Sequence, residues 1–296
     1  MRRRFVTLDV FTARRYAGNP LAVVLEAEEL ATERMQSIAR EFNHPETVFV
    51  FAPDNPAHRA RLRIFTPGRE LPFAGHPTVG TAVLLGRIDG GLAAREIVLE
   101  EGIGAVRCAV APIDDQHGRA RFTLPQLPAE AGAAPDDATI AAALGLAAAD
   151  IGFGRFRPSR WSAGLPATFV PVARLAAVAD YRPDAGKLIA AFGDGPVYLF
   201  CGECSEPGHA FHARMFAPAF GVHEDPATGS AAAAFAGLLA ARGRLADGEH
   251  SIAIEQGYEM GRPSVIGLGL VVAAGKLVSA SVGGDAVIVT EGTLEA

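Results

Sequence analysis

The sequence of 296 residues has little lysine, little cysteine and no long hydrophobic run. Lys187 and Lys276 are its only lysines, so a Schiff-base mechanism has two candidates, and neither lies in a recognisable motif. The three cysteines, an odd number, do not form a disulfide framework. No apolar stretch reaches the roughly 18 residues that a membrane span needs. We therefore expect neither disulfides nor a membrane partner.

Strong charge of either sign is also missing. The formal net charge is -6 and 20% of the residues are charged, which argues against nucleic acid as a partner. The arginine-rich start at 2–4 resembles the beginning of a signal segment, but Asp9 breaks the apolar run that such a segment needs. We expect a cytoplasmic protein, and its 49% hydrophobic content is enough to build two domains.

Three short segments recur in the same order in the two halves of the chain. The pairs are 18–24 with 164–170, 63–67 with 214–218, and 76–82 with 225–231. Three collinear matches predict an internal repeat of two similar domains. In the third pair His76 and Asp225 are expected to occupy equivalent positions, each directly before a proline.

The pattern of strands and helices predicts an α+β fold. We predict strands at 5–11, 22–25, 47–51, 61–65, 97–100, 105–110, 168–172, 197–200 and 287–289, and helices at 32–42, 78–86, 135–144 and 230–242. A polar stretch at 114–118 marks the boundary between domains at 1–117 and 118–284. The last strand, near 285–296, is a candidate to return to the first domain.

Both copies of the third segment run into a helix that is rich in small apolar residues. Gly75 and Gly229 would let the backbone approach a ligand closely, because no Cβ intervenes. The first amides of a helix form an anion site, and two such starts facing one cleft would suit a small carboxylate-bearing substrate. Proline and glycine near a helix start are also ordinary caps, so each motif alone is weak.

Glu46 is the sharpest candidate for a catalytic base. It lies where a predicted helix gives way to an apolar strand, a place where a carboxylate is usually solvated. The corresponding place in the second half, near Pro196 and Val197, has no acid. A single base that removes and returns one proton requires this asymmetry. His76 and Asp225 are candidate proton carriers beside it.

Several motifs together resemble the PhzF family. They include Glu-Leu-Pro-Phe-Ala-Gly-His-Pro at 70–77 and Glu-Asp-Pro-Ala-Thr-Gly-Ser-Ala at 224–231. The others are at 38–46, 63–67, 214–218, 256–257 and 261–264. The resemblance implies two pseudo-symmetric diaminopimelate-epimerase-like domains, each a mostly antiparallel sheet around a central helix. It also implies a homodimer and an isomerase that needs no cofactor.

The resemblance further implies roles for individual residues. Glu46 would be the general acid/base, and His76 and Asp225 would hold the substrate and assist proton movement. The substrate carboxylate would be framed by Gly75, Thr228, Gly229 and Ser230. The activity implied is the isomerisation of trans-2,3-dihydro-3-hydroxyanthranilate or a related reaction.

Three other functions stay open on the sequence alone. The amino-acid epimerases of this fold use one thiol on each side of the substrate, and the matching positions here are Ala74 and Thr228. That substitution favours isomerisation over epimerisation. A lyase using the same base is a second alternative, and a non-catalytic protein that binds small carboxylates is a third.

A cluster of soft ligands, Cys201, Cys204, His209 and His212, suggests zinc as a competing hypothesis. The interval before the histidine pair is shorter than in a zinc finger, and His212 lies in a strand-like run. We therefore predict no metal site.

Overall fold

A computed structural model describes residues 2–296, which form two compact units. Unit 1 comprises residues 2–123 and Gly283–Ala296, and unit 2 comprises Leu124–Val282. The sequence placed the division after residue 117, whereas unit 1 extends to Thr123. The reason is that strand His117–Thr123 pairs antiparallel with strand Gly104–Pro112 and so stays with the first unit.

Unit 1 is a mixed sheet with two helices in the described residues. Its strands are β1 (Arg2–Val10), β2 (Asn19–Val24), β3 (Glu46–Phe51), β4 (Ala60–Phe65), β5 (Glu70–Leu71), β6 (Arg95–Glu101), β7 (Gly104–Pro112) and β8 (His117–Thr123), and its helices are α1 (Thr32–Phe42) and α2 (Gly75–Ile88). The pairs β1–β2, β3–β4, β6–β7 and β7–β8 are antiparallel, and β2–β3 and β4–β6 are parallel.

Helix α2 is the centre of unit 1. All of its first twelve residues are buried, and it packs against strands that include β1, β2, β7 and β8. Glycine makes this close packing possible, since a Cβ on Gly80 would lie 2.6 Å from Leu21 Cδ2. A helix that is apolar on every face is expected in this enclosed position.

Unit 2 is also a mixed sheet, with four helices in the described residues. Its strands are β9 (Ala129–Glu130), β10 (Ser159–Ser162), β11 (Pro166–Pro171), β12 (Val197–Cys201), β13 (Phe211–Ala217), β14 (Val222–Asp225), β15 (Gly248–Gln256) and β16 (Ser264–Ala273); its helices are α3 (Asp137–Leu144), α4 (Leu175–Asp180), α5 (Ala185–Phe192) and α6 (Gly229–Arg242), with short 3-10 turns at Ala148–Asp150 and Pro218–Phe220. The final strand, β17 (Lys276–Glu295), begins in unit 2 and ends in unit 1, where it pairs with β1.

Helix α6 occupies the position in unit 2 that α2 has in unit 1. Both helices have 14 residues, and α6 is buried through Leu239 except at Ser230. Its small residues permit contact with the sheet, because a Cβ on Gly237 would lie 2.6 Å from the Trp161 ring. None of the helices in residues 2–296 is both long and apolar enough to cross a membrane.

The same local frame precedes both central helices. Gly102, after β6, packs against Pro72, and a Cβ there would lie 2.8 Å from Pro72 Cα. Gly257, after β15, packs against Pro226 in the same way, with Pro226 O 2.6 Å from the position of a Cβ. In each unit, a glycine thus packs against the proline that lies three residues before the start of the central helix.

The structure corrects one detail of the repeat predicted from the sequence, the equivalence of His76 and Asp225. His76 is the second residue of α2, whereas Asp225 is the last residue of β14 and precedes α6. Counted from the helix starts, Ser230 is the counterpart of His76. The ion pair Arg63–Glu70 spans seven residues and Arg214–Glu224 spans ten, so unit 2 has three more residues before the helix, and matching the two proline motifs directly gives the wrong register.

Candidate active site

Glu46 and His76 lie in contact in unit 1. Glu46 is the first residue of β3, and its Oε2 atom is 3.3 Å from His76 Nε2 on the first turn of α2. The contact depends on the fold, since β3 lies beside β2 and α2 packs on both. The Glu46 side chain is 17% exposed, so its carboxyl group is accessible to a ligand while it contacts His76.

The His76 ring is buried and electrically neutral. Burial lowers the pKa of His76 to about 3, with the nearby His44 ring lowering it further and the Pro20 carbonyl partly offsetting the shift. A neutral imidazole has one N–H and one lone pair. The ring donates its one N–H to the Pro20 carbonyl, so Nε2, which has no hydrogen-bond partner among residues 2–296, presents its lone pair towards Glu46. His76 can therefore accept a hydrogen bond from a protonated Glu46 without itself becoming a cation.

The backbone before α2 is shaped by Ala74 and Gly75. Ala74 is the extended N-cap residue of α2, and it offers no side-chain cap to the helix amides. Gly75 follows as the first helical residue and is buried. The first amides of a helix carry partial positive charge, so this start is suited to an anion.

Asp225 is held in unit 2 by a chain of hydrogen bonds. Thr228 Oγ1 donates to Asp225 Oδ2 at 2.5 Å, and Gln256 Nε2 donates to Thr228 Oγ1 at 2.9 Å. Gln256 also donates to the Asp225 carbonyl and accepts from the Thr228 amide. The Thr228 hydroxyl is thus committed to Asp225 and does not cap α6.

Gly229 and Ser230 form the start of α6, directly after this chain of hydrogen bonds. Gly229 is buried and Ser230 is half-buried. Burial raises the pKa of the Tyr198 hydroxyl, and the charge of the nearby Asp225 raises it further. The Tyr198 hydroxyl is fully buried and has no hydrogen-bond partner among residues 2–296.

Three of the four soft ligands of the zinc hypothesis have other partners. His209 and His212 each place Nδ1 2.8 Å from the fully buried Glu255 carboxylate, and His212 Nε2 lies 2.8 Å from Glu259. Cys201 Sγ donates to the Glu203 carbonyl at 3.1 Å. No three histidine, cysteine or acidic side chains in residues 2–296 are grouped to hold a metal ion.

The structure thus gathers the predicted residues into two groups, one in each unit. Glu46 and His76 form the first, with Gly75 at the adjoining helix start. Asp225 and Thr228 form the second, with Gly229 and Ser230 following in α6. Sequence reasoning gave Gln256 no role, although the pair Gln256-Gly257 corresponds to Glu101-Gly102 at the same place in unit 1.

Comparison with known proteins identifies the family. The model of the phenazine biosynthesis-like protein family matches residues 8–292. An uncharacterized isomerase of Mesorhizobium japonicum is 50% identical over 99% of this chain and 98% of its own length. The trans-2,3-dihydro-3-hydroxyanthranilate isomerase of Pseudomonas aeruginosa is 38% identical over 88% of each chain. The chain belongs to the phenazine biosynthesis-like, or PhzF, family.

Solved structures agree with this membership. The Bacillus anthracis phenazine biosynthesis protein of the PhzF family superposes with a TM-score of 0.90 at 25% identity, covering 100% of both chains. A hydroxyproline epimerase from Agrobacterium vitis superposes with a TM-score of 0.59 at 13% identity, covering 99% of this chain and 92% of its own. The second likeness shows that the α+β fold is shared with epimerases.

Proposed function

We propose that this protein is a cofactor-independent isomerase that moves a proton within a small carboxylate-bearing substrate. The first candidate substrate is trans-2,3-dihydro-3-hydroxyanthranilate, on which relatives at 38% and 35% identity are named to act. The observation that carries the proposal is the contact of 3.3 Å between Glu46 and the neutral His76. It supplies a partly exposed carboxyl group beside an uncharged ring nitrogen that can accept a hydrogen bond from the protonated acid.

Glu46 is proposed to act as the single acid/base. As a carboxylate it takes a proton from a substrate carbon, and the electron pair of that C–H bond moves into the adjoining double-bond system. The same carboxyl group, whose acidic hydrogen exchanges with solvent while it is held, then delivers a proton to a different carbon, so the substrate's composition is unchanged. General acid/base catalysis of this kind contributes roughly a hundred- to ten-thousand-fold, and positioning of the substrate supplies the rest.

His76 and Asp225 are proposed to hold the substrate's polar groups and assist the proton transfer. The neutral His76 ring can accept a hydrogen bond at Nε2 from Glu46 when Glu46 is protonated. Asp225 is kept in one orientation by Thr228, which in turn is held by Gln256. Such fixed geometry is what proton transfer between positioned groups requires.

The substrate carboxylate is assigned to the helix starts. Gly75 and Gly229 allow close approach of the backbone, Ser230 adds a hydroxyl, and Thr228 precedes them in unit 2. Partial positive charge at a helix N-terminus favours an anion by about 0.3–1 kcal/mol at exposed sites. These assignments rest on the helix positions and on the resemblance to the family.

Epimerisation is the weaker alternative. A two-base epimerase of this fold needs a thiol on each side of the substrate, and Ala74 and Thr228 stand at the N-cap positions of α2 and α6. Alanine cannot carry a proton, and the Thr228 hydroxyl is engaged with Asp225. We also infer that each unit is a diaminopimelate-epimerase-like domain, and that the protein is a cytoplasmic homodimer.

The proposal is tested by proton NMR of the protein with trans-2,3-dihydro-3-hydroxyanthranilate in heavy water. We expect conversion to the isomer, with deuterium entering at the carbon that receives the proton. Binding without conversion would leave the family assignment in place and would contradict this substrate. A panel of related cyclic amino and hydroxy carboxylates, measured in the same way, would then identify the substrate class.

A further inference from the structure

Glu101 is a buried acid to which the proposed reaction gives no role. It is the last residue of β6 and is 8% exposed. Its Oε1 atom lies 2.8 Å from Thr78 Oγ1 on the first turn of α2. Its Oε2 atom is buried and has no hydrogen-bond partner among residues 2–296. An ionised carboxylate with one bare buried oxygen would be costly, so the protonation state needs explanation.

The hydrogen-bond count around Thr78 indicates that Glu101 carries a proton. The Thr78 hydroxyl has one hydrogen to donate, and two acceptors lie within reach. Thr78 Oγ1 is 2.7 Å from the Ala74 carbonyl and 2.8 Å from Glu101. Both contacts become hydrogen bonds when the Glu101 carboxylic acid donates to Thr78 and the Thr78 hydroxyl donates to Ala74.

Unit 2 has a neutral amide at the corresponding place. Gln256 precedes Gly257 as Glu101 precedes Gly102, and both glycines pack against a proline before the central helix. Gln256 Nε2 donates to the Thr228 hydroxyl, which donates onward to Asp225. The side chain at this position therefore contacts a threonine hydroxyl in both units, on the first turn of α2 and at the N-cap of α6. In unit 1 only a protonated Glu101 could donate to that hydroxyl as Gln256 does in unit 2.

We propose that Glu101 is a positioning residue that works as a neutral carboxylic acid and fixes the segment from Ala74 to Thr78. His76 lies inside that segment, so Glu101 would hold the imidazole against Glu46. The inference rests on the proposed function, because it concerns the same pair of residues. Glu101 does not touch the substrate in this scheme and acts through the helix start.

The electrostatic surroundings agree with a neutral acid. Burial raises the pKa of Glu101 to about 8, and the hydrogen bond with Thr78 offsets only part of that shift. The titratable neighbours are Cys108 on β7, a buried thiol whose own pKa is raised, and the charged lining of the adjoining cavity. That cavity is lined by Arg61 and Arg63 on β4, Glu70 on β5 and Glu101 itself. Arg63 is bound to Glu70 rather than to Glu101.

Ionisation of Glu101 would then disturb the helix start. Once the proton is lost, Thr78 must donate to the carboxylate and its hydrogen bond to Ala74 breaks. We therefore expect the enzyme to lose activity at alkaline pH as Glu101 ionises. Glu101→Gln should be active at neutral pH, because glutamine supplies the same donor that Gln256 supplies in unit 2. The activity of this variant should also not fall at alkaline pH.

The test compares the pH dependence of kcat/KM in the wild type, Glu101→Gln and a matched control, Glu96→Gln. Glu96 is an exposed residue of the same strand. We expect the wild type and the control to lose activity about tenfold per pH unit above the pKa, as expected for one ionisation. We expect Glu101→Gln to keep at least half of the neutral activity and to stay level. An unchanged alkaline decline in Glu101→Gln, or a variant that does not fold, would overturn the proposal.

A second measurement needs no substrate, so it separates this inference from the proposed function. The infrared spectrum at neutral pH should contain the carbonyl band of a protonated carboxylic acid. That band should titrate near pH 8 and be missing from Glu101→Gln. A wild type without such a band would overturn the neutral-acid role even if the enzyme were active. A protein that shows the band but converts no dihydro-hydroxyanthranilate would support Glu101 as a neutral acid and contradict the proposed substrate.

Discussion

Glu46 Oε2 and His76 Nε2 lie 3.3 Å apart, with one residue at the start of a strand and the other on the first turn of a buried helix. Their separation along the chain hides this relationship, which the packing of α2 against β3 creates. The ring is neutral because burial lowers the pKa of His76 to about 3. An uncharged ring nitrogen therefore lies beside the Glu46 carboxyl group, which leaves Glu46 as the single acid/base that a one-base isomerase needs.

The first prediction concerns the base itself. Glu46→Gln keeps the shape of the side chain and removes its ability to take a proton. We expect turnover to fall by about a hundred- to ten-thousand-fold, while the thermal unfolding midpoint changes little. Deuterium incorporation measured by NMR gives the rate, and circular dichroism gives the midpoint. Glu41→Gln, at an exposed position of α1, is the control and should behave like the wild type. Substantial turnover by Glu46→Gln would show that another residue is the base.

The second prediction concerns Gln256. Its side chain makes hydrogen bonds to the Asp225 carbonyl and to both the amide and the hydroxyl of Thr228. Gln256→Ala leaves these buried groups without partners, which costs about 1–3 kcal/mol for each unsatisfied group. We expect lower stability in chemical denaturation and a larger loss in kcat than in KM, because Asp225 loses its fixed orientation.

The control for that experiment is Gln126→Ala, at an exposed position of the same unit. It removes an equal side chain without touching the Asp225 segment, so both stability and kcat should stay near the wild-type values. If Gln256→Ala were destabilised but kept full kcat, Gln256 would be a structural residue without a part in positioning Asp225.

A third prediction is the homodimer that the resemblance to the family implied. Cyclic dimers are the commonest closed assemblies of soluble proteins. Light scattering coupled to size-exclusion chromatography should give twice the chain mass at micromolar concentration. The mass of a single chain under those conditions would contradict the prediction and would not affect the roles proposed for Glu46 and His76.

Local patterns in the sequence predicted much of the fold. The predicted helix at 32–42 is found with the same bounds as α1, and the strand predicted at 197–200 lies within β12. Helices α4 and α5 were missed because both are short and lie close together in an alanine-rich region. The helix predicted from residue 78 begins at Gly75, since glycine at 75 and proline at 77 are accommodated in its first turn.

The candidate site was predicted less completely, and the reason is physical. Matching short motifs placed Asp225 opposite His76 because each precedes a proline, although Pro77 lies inside α2 and Pro226 lies before α6. The hydrogen bonds of Gln256 do not follow from sequence periodicity, because they join residues that are far apart in the chain. Periodicity does not reveal the three extra residues between Arg214 and Glu224 either. The zinc hypothesis had the same weakness, since Glu255, which binds both His209 and His212, lies more than 40 residues away from them.

The last prediction concerns how the free energy of unfolding depends on pH through the buried cluster of His209, His212, Glu255 and Glu259. Burial opposes a charge on His212, but its hydrogen bonds to Glu259 and Glu255 outweigh burial and raise the pKa of the ring. Burial likewise opposes a charge on Glu255, but hydrogen bonds from His212, His209 and two backbone amides lower its pKa. The stabilisation from His212 is therefore complete below pH 6.5 and is lost as the pH rises through its folded pKa. That from Glu255 is complete above pH 4.5 and is lost as the pH falls through its folded pKa.

Stability measurements on His212→Gln should reveal this window. Removing one partner of a buried charged pair costs about 3–5 kcal/mol, so the variant should be clearly less stable than the wild type. We expect the difference in denaturation midpoint to be largest between pH 4.5 and 6.5 and to shrink at higher pH, because the wild type loses the His212 proton there. Taking the difference also cancels the contribution of Glu101, which both proteins share. His223→Gln, at an exposed position of the same unit, should show no such window. A difference that stays constant from pH 5 to 9 would mean that His212 acts through its shape and hydrogen bonds, and that its charge does not contribute.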